Sequence, residues 1–370
     1  MVKTTNTGYA LSVNFGNESA YGTGATINQP IGLVQACNPT ENNNLIKVRA
    51  LGGTRDYASI VPGKFSISGT FDYYLQGGAF LRMAMGEDTG TSATIDSGPK
   101  IHTGGGSYRH CMGSAASPGT DSFPSFSLEV ADTEDDGTAA GTRNLKRKFR
   151  GCKVNSLTMN GSVDEPVKVS VDWQAQSIDL STAAKTTVTQ YTADPFVFYQ
   201  GAVYLTSGAI GGTQALVNAT TSEIAEVNSF TFGVNNNIEG VWYISGTTQT
   251  QQPLRGLKNL LTKGRDYTAS LGLHFKNKKI YQKFLGSVTA LKPASGIGKY
   301  QIALDFARSG YPGSSPKVAT DDWMRVALGS ASFNTINIAG GPEDVVGQQL
   351  DIFVKNAKIW VVDSDASYTA

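Results

Sequence analysis

Strict alternation of apolar and polar residues constrains this chain more than any other feature. Phe65-Ser66-Ile67-Ser68-Gly69-Thr70-Phe71-Asp72-Tyr73 keeps period two throughout, as do Val154 to Met159, Val167 to Trp173 and Gln301 to Phe306. In an extended chain successive side chains point to opposite faces. Each run therefore turns one row toward a core and the other toward solvent or a neighbour. Turn signals such as Asn160-Gly161 separate the runs, so Leu157 to Trp173 reads as a hairpin or a pair of adjacent strands. Helical signal is confined to Gly78–Gly86 and Lys279–Gly286, both short enough to depend on tertiary packing. With 42 Gly and only 16% charged residues in 370, the composition suits short strands and tight turns. The expected fold class is mainly β.

The two short helices fall at corresponding places in an internal repeat. One copy runs Asn42-Asn43-Asn44-Leu45, Gly63, the strand from Phe65, then Phe80-Leu81 and Gly86. The other runs Asn235-Asn236-Asn237-Ile238, Gly264, the strand Tyr267 to Phe275, then Phe284-Leu285-Gly286. Aligning these strands sets Phe65 with Tyr267, Ser68 with Ser270, Phe71 with Leu273 and Tyr73 with Phe275. A repeat this long is a duplicated domain and not a solenoid unit. The polar stretch Ser181–Asp194 is the expected linker, giving domains of 1–190 and 191–370. Two long loops are expected, Glu87–Pro124, rich in Gly, Ser and Thr, and the acidic Asp132–Gly141.

A formal net charge of +1 argues against a chain that grips nucleic acid, which carries a strong basic excess. A weakly charged surface favours association with other protein surfaces instead. Cys37, Cys111 and Cys152 are odd in number and lack CxxC spacing, so free thiols in a reducing compartment are expected. Neither a signal peptide nor a membrane span is expected, because Met1–Gly24 has no apolar run and no apolar stretch approaches spanning length.

The densest basic run is Arg143, Lys146, Arg147, Lys148 and Arg150; it follows the acidic Asp132, Glu134, Asp135 and Asp136. Three readings stand for it: a nucleic-acid site, a complementary contact between subunits or rings, and a solvated strand end. No catalytic, cofactor or metal site is expected. His102, His110 and Cys111 share one loop, and adjacent residues make poor ligands for one ion. An extended loop would also point Cys111 away from His110, which disfavours a nucleophile pair. Gly104-Gly105-Gly106-Ser107 lacks the lysine and the strand–helix frame of a phosphate loop. Asp164-Glu165 and Glu343-Asp344 lie beside Pro or Gly and read as turn acids rather than a glycosidase pair. Trp242, Tyr243 and Ile359-Trp360-Val361-Val362 read as core or interface residues.

Three segments resemble the tail tube proteins of tailed bacteriophages and related archaeal viruses. They are Gly16-Asn17-Glu18-Ser19-Ala20-Tyr21-Gly22-Thr23, the hairpin opening Phe149-Arg150-Gly151-Cys152-Lys153-Val154-Asn155-Ser156-Leu157, and the Asn-Asn strand followed by Gly and an amphipathic strand in both halves. The Gly-Cys-x-Val pattern is not repeated; Glu226 to Phe232 is the nearest match in the second half. The resemblance implies two related β-sandwich or half-barrel domains, each with a short helix, assembling into a ring with a continuous inner β-barrel. Ring closure would remove exposed edges, and head-to-tail stacking would make a tube. It implies a non-enzymatic virion tail protein, made in the host cytoplasm, whose chief partner is itself. Trimeric pseudo-hexameric rings are favoured and hexameric rings are the alternative. The tape measure protein, tail terminator and baseplate proteins would be further partners. Viral DNA would pass through the lumen without sequence-specific binding. The competing readings are a baseplate hub or distal tail protein of the same fold, and a carbohydrate-binding or hydrolytic β-sandwich.

Overall fold

The computed structural model describes residues 11–51, 55–86, 108–113, 123–132, 144–207, 223–242, 255–276, 278–287, 289–308, 323–340 and 346–363. The chain is mainly β. Its first part contains β1 (Leu11–Asn17), β2 (Gln29–Pro30), β3 (Leu33–Asn42), β4 (Ile46–Val48), β5 (Ser59–Val61), β6 (Ser66–Tyr74), α1 (Leu81–Met85), β7 (Tyr108–Gly113), β8 (Phe126–Asp132), β9 (Leu145–Ser162), β10 (Lys168–Ala175) and β11 (Ser177–Ser181). The second contains β12 (Gly201–Ser207), β13 (Glu223–Ala225), β14 (Val227–Asn235), β15 (Glu239–Val241), β16 (Asn259–Leu261), β17 (Asp266–His274), α2 (Lys279–Phe284), β18 (Tyr300–Ala307), β19 (Trp323–Ala339), β20 (Gly347–Val354) and β21 (Asn356–Asp363). Among the described residues no helix is long and apolar enough to cross a membrane.

The alternating runs build one antiparallel sheet in the order β3-β6-β10-β9-β14-β17-β20-β19. A single row crosses it through Val34, Tyr73, Val169, Met159, Phe232, Ala269, Ile352 and Phe333, apolar at every strand. This row faces two smaller sheets, β2-β1-β8-β9-β11 and β13-β12-β18-β19-β21-β7. One core cluster fills the space between, from Phe15, Phe80 and Phe126 in the first half to Leu304, Val326 and Ile359 in the second. The long strands β9 and β19 each leave one sheet and enter another, as strands do at the corner of a sandwich. Ile359, Trp360 and Val361 are buried core residues.

Four details differ from the sequence expectation. Strand β7 runs through the expected loop Glu87–Pro124 and carries His110 and Cys111 into the sheet beside β21. Asn160-Gly161 does not turn the chain; both lie inside β9, opposite Thr231 and Phe230. A Cβ at Gly161 would sit 2.3 Å from the Phe230 ring, so the glycine makes room for a cross-strand aromatic. The turn falls instead at Asp164, whose φ is +64°. The repeat is also shifted by two residues from the alignment given above. Asn42 lies opposite Ser66 and Asn235 opposite Asp266, which matches Ile67 to Tyr267 and Phe71 to Leu271. A two-residue slip keeps every side chain on its face, so alternation alone does not detect it. Finally, the counterpart of Gly151-Cys152-Lys153-Val154-Asn155 is Ser330-Ala331-Ser332-Phe333-Asn334 and not Glu226 to Phe232. Cys152 and Ala331 lie opposite the first residues of β8 and β18, and Asn155 and Asn334 are each the extra residue of a bulge.

Candidate assembly surfaces

Each half of the main sheet has four strands, and a seam between β9 and β14 joins them. There Ser229–Asn235 pairs with Ser162–Ser156. The bulged Asn155 anchors the seam. Its Nδ2 donates to Asp172 Oδ2 at 2.8 Å, its carbonyl accepts from Asn236 N at 2.8 Å, and its Oδ1 accepts from Ile238 N at 3.0 Å. Asn236 Nδ2 donates across the seam to Val154 O and Ala84 O. The third Asn of each triplet turns the chain. Asn44 and Asn237 have φ of +45° and +48°, and each donates from Nδ2 to the segment that leads into β6 or β17, to Lys64 O and Gly264 O.

The sheet ends on two bare edges. Among the described residues β3 pairs only with β6, and Ser332–Ala339 of β19 pairs only with β20. Asn334 and Asp351, the counterparts of Asn155 and Asp172, stand exposed at the β19 edge. Pro39 removes one donor from the β3 edge. The face of the sheet away from the core is largely polar, exposed Phe353 being an exception, and has Asp72, Asp172, Asp266 and Asp351 as its acids. Lys168 on this face binds Asp72 at 2.8 Å. Burial opposes ionisation of Asp72, but hydrogen bonds from Lys168 and Ser170 hold its carboxyl below the usual range.

Two of the three segments that carry the resemblance, Gly16–Thr23 and the opening of the β9–β10 hairpin, meet in space. The Glu18 carboxylate accepts from Gly22 N, Ser125 Oγ, Ser127 Oγ and Gly151 N, all within 2.8–2.9 Å. Gly151 has φ of +60°, which aims its N–H at the carboxylate. This fastening presents Tyr21, and burial pushes its phenol up. Tyr21 and Phe123 pack on Ile238, Leu257 and Leu260, so hairpin β15–β16 lies on the first half. Lys153 Nζ donates to Leu260 O and Gln176 Nε2 to Lys258 O, at 2.8 and 2.9 Å. Burial holds the Lys153 ammonium below the usual lysine range. No sequence pattern singled out Glu18 as an acceptor of four bonds or Asn155 as a seam residue, because all their partners but Gly22 and Asp172 lie far along the chain.

The charged candidates fall in several places. Lys146 binds buried Glu129 at 3.0 Å, and Thr186 closes this cluster by donating to the same carboxylate through N and Oγ1. Arg147 reaches Glu41 of β3 at 3.6 Å, and Arg150 pairs with Asp179. Lys148 has no ion pair among the described residues. Asp132 ends β8 opposite Leu145, while Glu134, Asp135, Asp136 and Arg143 lie outside the described residues. His110 is buried in β7 with Asp363 Oδ1 3.6 Å from its Nε2, Cys111 is buried beside it, and His274 is exposed on β17. His102, Gly104–Ser107, Tyr243, Glu343 and Asp344 lie outside the described residues.

A family model described as phage tail tube protein matches residues 8–352. The chain belongs to that family. No curated protein matches it. Membership in a tail tube family gives the chain a structural role as a component of the virion. It also accounts for the open sheet: an exposed edge is an aggregation hazard unless something pairs with it.

Proposed function

We propose that the chain is a major tail tube protein whose copies close into rings by pairing the β19 edge of one with the β3 edge of the next. The observation that carries this is the internal seam, which already joins the counterparts of those two edges. Copying the seam register sets Asn42 opposite Thr335, Thr40 opposite Asn337, and Asn38 opposite Ala339. Residues 1–190 and 191–370 then act as two tube domains, and three copies close a pseudo-hexameric ring. Rings stack head to tail, a contact that does not close on itself and so extends into a tube. The polar face becomes the lumen wall. Its four acids against Lys168 would repel DNA phosphates and let viral DNA pass without binding.

We assign contacts between copies to Lys148 and the basic end of β9, facing the acidic residues Asp132, Glu134, Asp135 and Asp136. The tape measure, terminator and baseplate proteins would meet the tube at its bore and ends. The protein would be made in the host cytoplasm and end in the virion tail. It performs no catalysis in this reading. The test is the full chain imaged by negative stain, beside the double variant Asn38→Cys, Ala339→Cys. Tubes of uniform bore with threefold symmetry, and disulfides between copies that appear only on assembly, are expected. A chain that stays monomeric at every concentration and never cross-links overturns the reading. Single rings that never stack would reassign it to a hub.

A further inference from the structure

The two hairpin arms of the chain match residue for residue yet lie in opposite surroundings. Hairpin β15–β16 pairs Glu239 with Leu261 and Gly240 with Leu260; hairpin β4–β5 pairs Ile46 with Val61 and Lys47 with Ile60. The registers match Ile60 to Leu260, Tyr57 to Leu257 and Leu45 to Ile238. In the second arm Ile238, Leu257 and Leu260 are 9%, 3% and 0% exposed, packed under Tyr21 and Phe123. In the first, Leu45, Tyr57 and Ile60 are 60%, 42% and 56% exposed. Three apolar positions are thus kept, and only one set has a surface to cover.

The missing surface has counterparts in the second half. Asn334 corresponds to Asn155, which receives Ile238 N. Ser332 corresponds to Lys153, which binds Leu260 O, and Phe353 lies opposite Ser332. Ile297 precedes β18 by the interval at which Phe123 precedes β8. Phe353, Ile297 and Asn334 are all exposed in the isolated chain.

We propose that hairpin β4–β5 of one copy docks on the second half of the neighbouring copy, with Leu45, Tyr57 and Ile60 packing over Ile297 and Phe353. The backbone N–H of Leu45 donates to the Asn334 side chain. The occupant is a second copy of this chain, because the counterpart arm β15–β16 already sits on the corresponding surface within one chain. The docking rests on the ring reading above and adds to it: edge pairing fixes the inner sheet, and the arm clamps the next copy from the side. Burial of exposed apolar arms on association supplies the driving force that polar edge pairing lacks.

The test uses the full chain carrying Cys37→Ser, with Leu45→Asp and Ile60→Asp added in one variant and Leu261→Asp, an exposed residue of β16, as control. Sedimentation should show at least a tenfold rise in the concentration needed for assembly in the first variant, little change in the control, and unaltered melting of the monomer in both. The double variant Ile60→Cys, Ser332→Cys should cross-link between copies in assembled material alone. Normal assembly of the Leu45→Asp, Ile60→Asp variant overturns the arm proposal. So does absence of the Ile60–Ser332 cross-link in tubes whose Asn38–Ala339 seam does cross-link, and in that case the ring reading stands. A wild-type chain that never associates overturns both.

Discussion

Strand β9 and its counterpart β19 follow one path with different fastenings. Both start in an outer sheet, bend, bulge at an Asn and enter the main sheet. At the bend β9 has Gly151, held by Glu18, whereas β19 has Ser330. Before the bend β9 carries Lys146 beside Glu129 and Thr186, whereas β19 carries Arg325, paired with Asp305 directly opposite it. The shared features are the apolar rows and the backbone irregularities. The path is thus set by where the chain buries a face and where it bends, while the polar fastenings are local to each half.

The largest expected effect separates the two charge pairs. Asp305 and Arg325 are both buried, so Arg325→Met takes the guanidinium away from a buried carboxylate. That should lower stability by about 3–5 kcal/mol. Lys146→Met should cost less, about 1–2 kcal/mol, because the Lys146 side chain is partly solvated and Thr186 still donates twice to Glu129. Urea unfolding of both variants measures the gap; equal losses would mean the two fastenings are interchangeable.

The next effect tests the staple that only the first half has. Glu18→Ala removes one acceptor from four donors, and the loss should be about 3 kcal/mol. Gly151→Ala should act in the same direction, since a Cβ there would meet Gln176 Cβ at 2.8 Å. If Glu18→Ala melts like the wild type, the motif does not hold the bend together and the contrast with β19 loses its meaning.

Period-two runs made β6, the β9–β10 hairpin, β17 and β18 legible in the sequence, and short apolar segments closed by glycine marked both helices. Phe65 to Tyr73 and Val167 to Trp173 state their buried faces outright, since each alternate residue is apolar. The bend was legible only once, as Gly151. At Ser330 the same left-handed backbone carries no glycine to mark it, and the nearest match in sequence, Glu226 to Phe232, lies on a different strand. The basic run was visible as charge, but charge does not say with whom a side chain pairs. Glu129, Glu41 and Asp179 are partners supplied by the folded sheets. The edges were illegible for a similar reason: alternation gives a strand two faces without naming its neighbours, and only pairing shows that β14 lies inside the sheet and β3 at its margin.

The two arms supply a smaller and cleaner contrast. Leu260→Ala should destabilise the isolated chain by about 2–3 kcal/mol, since Leu260 is fully buried beneath the first half. Ile60→Ala at the matching position should change monomer stability by less than about 0.5 kcal/mol. Thermal melting at a concentration below assembly checks both. A comparable loss from Ile60→Ala would mean that the first arm also packs within its own chain.

The smallest effect has the opposite sign. Ser330 holds φ of +49°, a conformation that costs an L-residue about 1–2 kcal/mol. Gly151 occupies the same place in β9 without that strain. Ser330→Gly should therefore raise stability, by about 0.5 kcal/mol once the greater freedom of glycine in the unfolded chain is subtracted. Denaturant midpoints of the variant and the wild type, at unchanged slope, measure it. A loss would show that the Ser330 side chain contributes more than the strain it imposes, and that β19 has a fastening of its own at the bend.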